Sequence, residues 1–463
     1  MTRQLVWIVV ASVASSVATG CKSRSSGAPG DAAAAASAAP AANAPKKLVS
    51  GTFEPLAVTA DHVLYFDAAH GAVSAVALTG GDPVTVLKSP SKPVCHASNT
   101  TAFCWTEGDD FGKLHAWTPG RGLVEVAPRS RVSSMVAAAA DGSRIAYQAE
   151  TPAPNLFIAD GDGHNAKALV IAKERSCIGE TRFVGATLVS IHCGGGDAFP
   201  HTAEWWDASG TSRGKLEGSR LQVDADGVHG FVEGGASGLA STWAVVTLDG
   251  STPPFKGPER VNGGFSKHAG ASVALLDASE NLIVRDTKAG AAVTQLVPKF
   301  GILAAHSADG AHAAGTDINN MLRIAATDAP SKPTPIPDGK SPRFTADGRY
   351  VAFLSRVDAN GSMLSVVEAS GTAAPVKLED HASVVSFGAT PARGNVVYTV
   401  ITNAVVGPGR TYDLMNVDTR KGTTPVALAH GVHNTSLTTN GEAIVYTIHG
   451  TPGAEGIYVV PLP

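Results

Sequence analysis

A short apolar run recurs ten times along this 463-residue chain, and the recurrence limits its possible folds more than any single motif does. The runs begin at Val63 (VLYF), Ala102 (AFCW), Arg144 (RIAY), Leu188 (LVSIH), Val228 (VHGFV), Ser272 (SVALL), His312 (HAAG), Tyr350 (YVAFL), Val396 (VVYTV) and Ala443 (AIVYT), 38 to 47 residues apart. Each is continuous rather than alternating, as expected of a strand covered on both faces. Most follow a turn dipeptide that accepts positive φ: Asp141-Gly142, Asp226-Gly227, Asp309-Gly310, Asp347-Gly348 and Asn440-Gly441. The clearest unit is 341–368, with strands at Ser341–Ala346, Tyr350–Leu354 and Met363–Glu368, and Pro375–Leu378 as a fourth. Asp358, Asn360 and Gly361 read as a longer polar loop between its second and third strands. Third strands often end in an acid beside a small-residue turn, as at Asp160, Asp207, Asp249, Asp286 and Asp418. A four-stranded meander cannot cover its own two faces, so it must stack on copies of itself. The pattern predicts an all-β fold, a β-propeller of four-stranded blades; ten units are counted, and seven to ten fit the spacing.

The Thr-Ala-Asp-Gly turn, the apolar run, the Asp-Ala-Asn-Gly loop and the strand ending in Glu368 together resemble the WD40-like propeller repeat of the TolB family. The same repeat is seen in the propellers of prolyl-oligopeptidase-type enzymes. Residues 341–368 match it best, followed by 303–328, 136–160 and 436–460, and the resemblance covers most of Phe53–Pro463. It implies a propeller, and a fold alone does not settle function. Trp206-Asp207 lacks the Gly-His partner of a true WD40 repeat, and no kelch di-glycine pattern recurs.

The front of the chain differs in kind. Arg3 precedes an apolar stretch from Leu5 to Val10 that is too short to span a bilayer, so residues 1–20 read as an export signal. Val17-Ala18-Thr19-Gly20-Cys21 resembles the lipobox of bacterial lipoproteins, which implies cleavage before Cys21 and a membrane anchor through its lipidated thiol. Residues 21–46 are Ser, Gly, Ala and Pro with almost no large apolar side chain, and so form a flexible linker with a coil reach of ~30 Å. Lys22 stands where enteric lipoproteins held at the inner membrane carry Asp, so the resemblance favours the outer membrane. Residues 47–463 are the propeller. The tenth unit lacks a fourth strand, and Lys47–Gly51 (KLVSG) has no other role, so this N-terminal strand is expected to close the ring.

Composition narrows the function classes. The formal charge is −4, and losing residues 1–20 removes Arg3 and no acid. A mildly acidic chain with scattered cations has no basic stripe for nucleic acid. With Cys21 lipidated, four cysteines remain. An exported protein meets oxidising conditions, and each pair, Cys95/Cys104 and Cys177/Cys193, brackets an expected hairpin turn, so two cross-strand disulfides are predicted.

No nucleophile elbow, P-loop, zincin or Rossmann motif is present, and no length is left for the hydrolase domain of prolyl-oligopeptidase-type enzymes. No metal or cofactor is expected. Asp160-Gly-Asp162 has the first acids of a calcium loop without its Glu, and a plain turn accounts for it. His192, Asp197, His201 and Glu204 are the densest set of possible metal ligands, but their spacing matches no zinc pattern. Trp205 and Trp206 beside them read as packing between blades. Loops between second and third strands are long in many units and emerge on one face, where a rigid scaffold usually carries its binding residues. Asp109, Asp110, Phe111, Glu150, Phe199, His201, Arg356 and Arg410 are the candidates there.

The reading that follows is a non-catalytic, monomeric scaffold in the cell envelope that binds a protein or cell-wall component. An enzyme of lyase or glycosidase type at the channel mouth is the alternative, and would need paired carboxylates or a metal there. A purely structural surface lipoprotein is a third. A non-reducing peptide map should return Cys95 linked to Cys104 and Cys177 linked to Cys193; any other pairing contradicts the hairpin assignment.

Overall fold

A strand buried on both faces needs a neighbour on each side, and the chain supplies this by arranging its sheets radially. The computed structural model describes residues 44–106, 108, 110–132, 134–150, 155–171, 178–193, 201–224, 226–234, 241–258, 260–267, 269–288, 290–317, 319–358, 361–389, 394–402 and 410–462. They are all-β, with no helix, and build ten antiparallel blades of four strands as the basic unit. In chain order, blade 1 is Pro55–Lys88, blade 2 Val94–Arg131, blade 3 Val136–Ile171, blade 4 Ile178–Glu217 and blade 5 Arg220–Lys256. Blade 6 is Val261–Val297 and blade 7 Ile302–Ala326. Blade 8 runs from Lys340 into the long strand Val376–Ala389, which continues into blade 9, ending at Val432. Blade 10 is Thr435–Pro461 plus Lys46–Ser50.

All ten apolar runs lie on the second strands of the blades, so the repeat is the blade period. The first strands of successive blades lie beside one another and surround a central channel, while the fourth strands form the rim. The closing strand is the expected one: Lys46–Ser50 pairs antiparallel with Gly456–Pro461, Lys46 opposite Val459 and Ser50 opposite Gly456.

The core is not central. Ten apolar clusters each straddle one pair of consecutive blades, and the tenth joins Ala443, Val445, Ile457 and Val459 of the last blade to Val58, Val63, Tyr65 and Val76 of the first. Trp205 and Trp206 show the geometry. Adjacent residues on a strand point to opposite faces, so Trp205 packs towards blade 5 and Trp206 towards blade 3, both 2% exposed. They pack between blades, as the sequence implies.

The hairpin joining first and second strands is held by a repeated device. Ser307, Thr345 and Thr438 each donate to the acid or amide two residues on (Asp309, Asp347, Asn440) and accept the backbone N–H five residues on. Gly310, Gly348 and Gly441 follow at φ near 70°, where a Cβ would be strained. In blade 6 the same position holds Lys267, 3% exposed. Its ammonium donates to the Thr327 carbonyl at 2.8 Å, the Thr327 hydroxyl at 2.9 Å and Asp328 at 2.6 Å, fastening blade 6 to blade 7.

Two details depart from the sequence reading. Blade 8's second and third strands run on to Asp358 and Gly361, which pair, so the ladder extends into the stretch expected to be a long polar loop. Among the described residues, blade 7 has three strands and a single outer bridge, Leu322 to Ile336. Pro330, Pro333, Pro335 and Pro337 occupy the would-be fourth strand, and proline has no N–H to donate to a ladder.

The acids after third strands cap the outer turns. At Asp207, hydrogen bonds from the Ser209 hydroxyl, the Thr211 and Ser209 amides and Arg213 hold the carboxyl down to about 2. Asp249 and Asp418 are also lowered, chiefly by hydrogen bonds from Ser251 and Arg420 respectively. A carboxyl lowered in the fold stabilises above its unfolded value and loses that contribution as pH falls towards its folded value. Stability should therefore decline as pH drops from about 4 towards 2, and Asp207→Asn should flatten part of that decline. A thermal midpoint flat across this range would contradict the capping role. Lys267→Ala should lower stability by about 2–3 kcal/mol, because Thr327 and Asp328 lose their donor; an unchanged urea midpoint would show that the staple is idle.

Candidate functional site

The antiparallel order fixes two faces. Hairpins between first and second and between third and fourth strands lie on one, the turn face. Connections between second and third strands, and the links from blade to blade, lie on the other, the loop face.

On the loop face, three of the eight candidates meet between blades 2 and 3. Phe111 opens the third strand of blade 2, Phe111–Thr118, and its ring lies under the Arg129 guanidinium at 4.2 Å. The Asp110 carbonyl accepts from the Val132 amide at 2.9 Å, and the Glu150 amide of blade 3 donates to the Arg129 carbonyl at 3.0 Å. Asp110 and Arg129 are exposed; Phe111 and Glu150 are half-buried. Arg129 lies on a ten-residue outer strand, Gly122–Arg131, which bulges twice as it crosses towards blade 3.

Ser130 anchors the end of that strand. It is fully buried, accepts from Trp105 Nε1 at 3.1 Å, donates to the Gln148 carbonyl at 2.8 Å and lies 2.9 Å from the Ser134 hydroxyl. The buried serine thus fixes where Arg129 stands. Neither residue was singled out from sequence; the signal was an outer strand twice the usual length ending in Arg-Ser-Arg.

The other candidates are dispersed. His201 begins blade 4's third strand and pairs with Cys193. Arg356 is 68% exposed on blade 8 and reaches Asp380 at 3.3 Å, an acid that also takes Lys377 at 2.8 Å. Arg410 precedes the strand Tyr412–Asp418 of blade 9. Asp109 and Phe199 lie outside the described residues, as do Cys21, Cys177 and Asp197. Cys95 and Cys104 are disulfide-bonded and directly opposed across blade 2's first two strands, as predicted.

Of the possible metal ligands, His192 and Glu204 do meet, with Nε2 and Oε2 at 3.1 Å between blades 3 and 4. Burial works against the Glu204 charge, but hydrogen bonds from His192 and Ser212 and the nearby Lys215 outweigh it and hold the carboxyl below its ordinary value. Among the described residues no three His, Cys, Asp or Glu side chains converge as a metal group. The Asp160 segment is a plain turn: Gly163 N donates to the Asp160 carbonyl, Asn165 to its side chain at 2.6 Å, and Arg144 pairs with it across the ladder. On the turn face, a cavity of about 610 Å³ opens between blades 1 and 2, lined by His62, Asp82, Trp117 and Arg121 among others.

No family model matches this chain, and no curated protein is similar to it. Solved structures give distant likenesses. A crystal structure of the tricorn protease is 12% identical with a TM-score of 0.34, covering 90% of this chain, which spans 43% of that protein's length. The β-propeller domain of the Trilobed protease from Pyrococcus furiosus is 13% identical with a TM-score of 0.35, over 74% of this chain and 95% of that one. A eukaryotic initiation factor gives 10% identity and a TM-score of 0.45, over 74% and 91%. Likenesses this remote carry no argument about what the chain binds; the ring rests on its own strand pairing.

Ser130→Ala should cost about 1–3 kcal/mol, since it leaves the Trp105 indole N–H and the Gln148 carbonyl without their buried partner. A denaturant midpoint equal to the parent's would contradict the anchoring role.

Proposed function

We propose that this protein is a lipid-anchored binding scaffold of the bacterial cell envelope, exported by residues 1–20, anchored through Cys21, and holding a protein or cell-wall partner on its loop face. The convergence of Asp110, Phe111, Arg129 and Glu150 on that face carries the reading. A cation stacked on an aromatic ring over a buried anchor is a pre-ordered contact, and aromatic and Arg side chains dominate binding energy at interfaces. The rest of the ring supports it: a rigid closed scaffold presents its loops without needing to order itself on binding.

The path of the chain agrees with this orientation. Lys46 enters blade 10 from the turn-face side, where its ammonium donates to the Thr79 carbonyl in a turn of blade 1. The chain therefore joins the ring away from the loop face.

The full chain, displayed in its membrane, should retain an envelope partner that Phe111→Ala/Arg129→Ala loses while keeping the parent's thermal midpoint. A partner held equally by both forms would move the site elsewhere. Metabolic labelling with a radioactive fatty acid should mark the parent and not Cys21→Ser; equal labelling of both would remove the anchor from the account.

A further inference from the structure

The wall of the central channel differs in charge from the chain as a whole. The protein is net acidic at −4. Yet the described parts of the innermost strands carry four partly or fully exposed cations, Arg182, Arg220, Lys340 and Arg343, against one acid, Glu180. That acid is taken up by Arg182, with which it forms an ion pair. Three cations remain, one on blade 5 and two on blade 8.

Their surroundings keep them available. Lys340 and Arg343 are exposed and have no ion pair or side-chain hydrogen bond among the described residues. Arg343 stands between buried Pro342 and half-buried Phe344; Phe344 packs into the seam with blade 7, so the alternating strand turns Arg343 the other way. Arg220 donates to the Gln222 amide oxygen at 2.8 and 3.0 Å, while that amide's nitrogen donates to His306 Nε2 at 3.1 Å. The chain of bonds ties blade 5 to blade 7 and holds the Arg220 guanidinium at the channel wall. Glu233, across the ladder from Arg220, is pushed up from its ordinary value by burial, which weakens it as a competing anion. Asp338, an exposed acid, lies two residues before Lys340 in the link from blade 7.

The exposed wall between these cations is neutral: Asn262, Ile302 and Ala304. Lys340 and Arg343 flank a bulge in one strand, where Ser341 takes a positive φ, and Arg220 lies three blades away. A single small anion cannot reach all three, whereas an extended chain with repeated negative groups can. Among the described residues, no exposed Phe, Tyr or Trp of the inner strands interleaves with them as a stacking platform for bases.

We propose that the loop-face mouth of the channel binds an acidic polysaccharide, with Arg220, Lys340 and Arg343 pairing successive carboxylates along its length. The proposal deepens the scaffold reading by naming a ligand class, but it stands on different residues from the Phe111 cluster and can fail independently of it.

The test is a titration of the full chain with fluorescent alginate oligomers at low ionic strength, beside neutral dextran and a single-stranded oligodeoxynucleotide. Alginate should bind and dextran should not, and log affinity should fall linearly with log salt at a slope fitting about three contacts. Arg220→Gln/Lys340→Gln/Arg343→Gln should weaken alginate binding roughly tenfold or more, while Lys88→Gln/Lys256→Gln on the outer strands leaves it intact. Arg343→Gln alone gives the same reading with a smaller loss should the triple variant fail to reach the parent's thermal midpoint. Absent alginate binding, equal dextran binding, a flat salt response, or a triple variant that folds and binds like the parent would each overturn the proposal. Tighter binding of the oligonucleotide than of alginate would overturn its ligand class. Loss of alginate binding in these variants with the Phe111-dependent partner retained would show that the two sites are separate.

Discussion

Apolar contact across the gap between consecutive blades is what the rest of this structure depends on. A sheet of four short strands has two faces and too little substance to bury either alone. Here every face is buried against the next blade, and fully burying one Leu, Val or Phe contributes roughly 1.5–3 kcal/mol. The cost of the arrangement is that no blade is complete by itself. The ring must return to its start, and the cluster joining Tyr65 and Val76 to Val445 and Val459 is where it does so.

Polar groups then set the register that apolar contact leaves loose. The Ser/Thr–Asp/Asn–Gly hairpins fix the inner ends of the blades, the lowered turn carboxylates fix the outer ends, and Lys267 and Ser130 bind one blade to the next. A buried polar group costs free energy unless satisfied, so each of these contacts specifies one neighbour in one position. The same rigidity lets the loop face hold Arg129 over Phe111 and the channel hold Arg220 at its wall. Both proposed sites lie at the scaffold's edges, at the mouth and between loops, and not within its core.

Much of the fold was legible in the sequence because burial on both faces writes itself locally. A continuous run such as Tyr350–Leu354 after Asp347-Gly348 has few other meanings, and the ten runs mark ten blades. The closing strand was legible for a different reason: a repeat with one strand too few at its end needs one from its start. Trp205 and Trp206 were legible as packing between blades, and their adjacency on one strand sends them to opposite seams. The Cys95–Cys104 bridge followed from its position about a hairpin.

The site was legible only in part. Loop length pointed to the loop face and brought out Asp110, Phe111 and Glu150, which the fold places together, but the residue that joins them, Arg129, is held by a serine whose partners lie 18 and 25 residues away. Lys267 finds its partners 60 and 61 residues on, in the next blade. Channel cations look scattered in the chain because they come from the inner strands of blades 4, 5 and 8, one or two from each, and only the ring brings them to a common wall. Such pairings are properties of closure rather than of any window of sequence.

Closure itself is therefore the claim to test most directly. Lys47 pairs with Tyr458 across the joined ends of the chain, its ammonium 5.3 Å from the ring centroid. In Lys47→Cys/Tyr458→Cys, mild oxidation of the native protein should give an intramolecular cross-link, and the same oxidation in urea should not. Two cysteines that stay separately modifiable in the native state, or that link only between molecules, would show that the N-terminal strand does not close the ring.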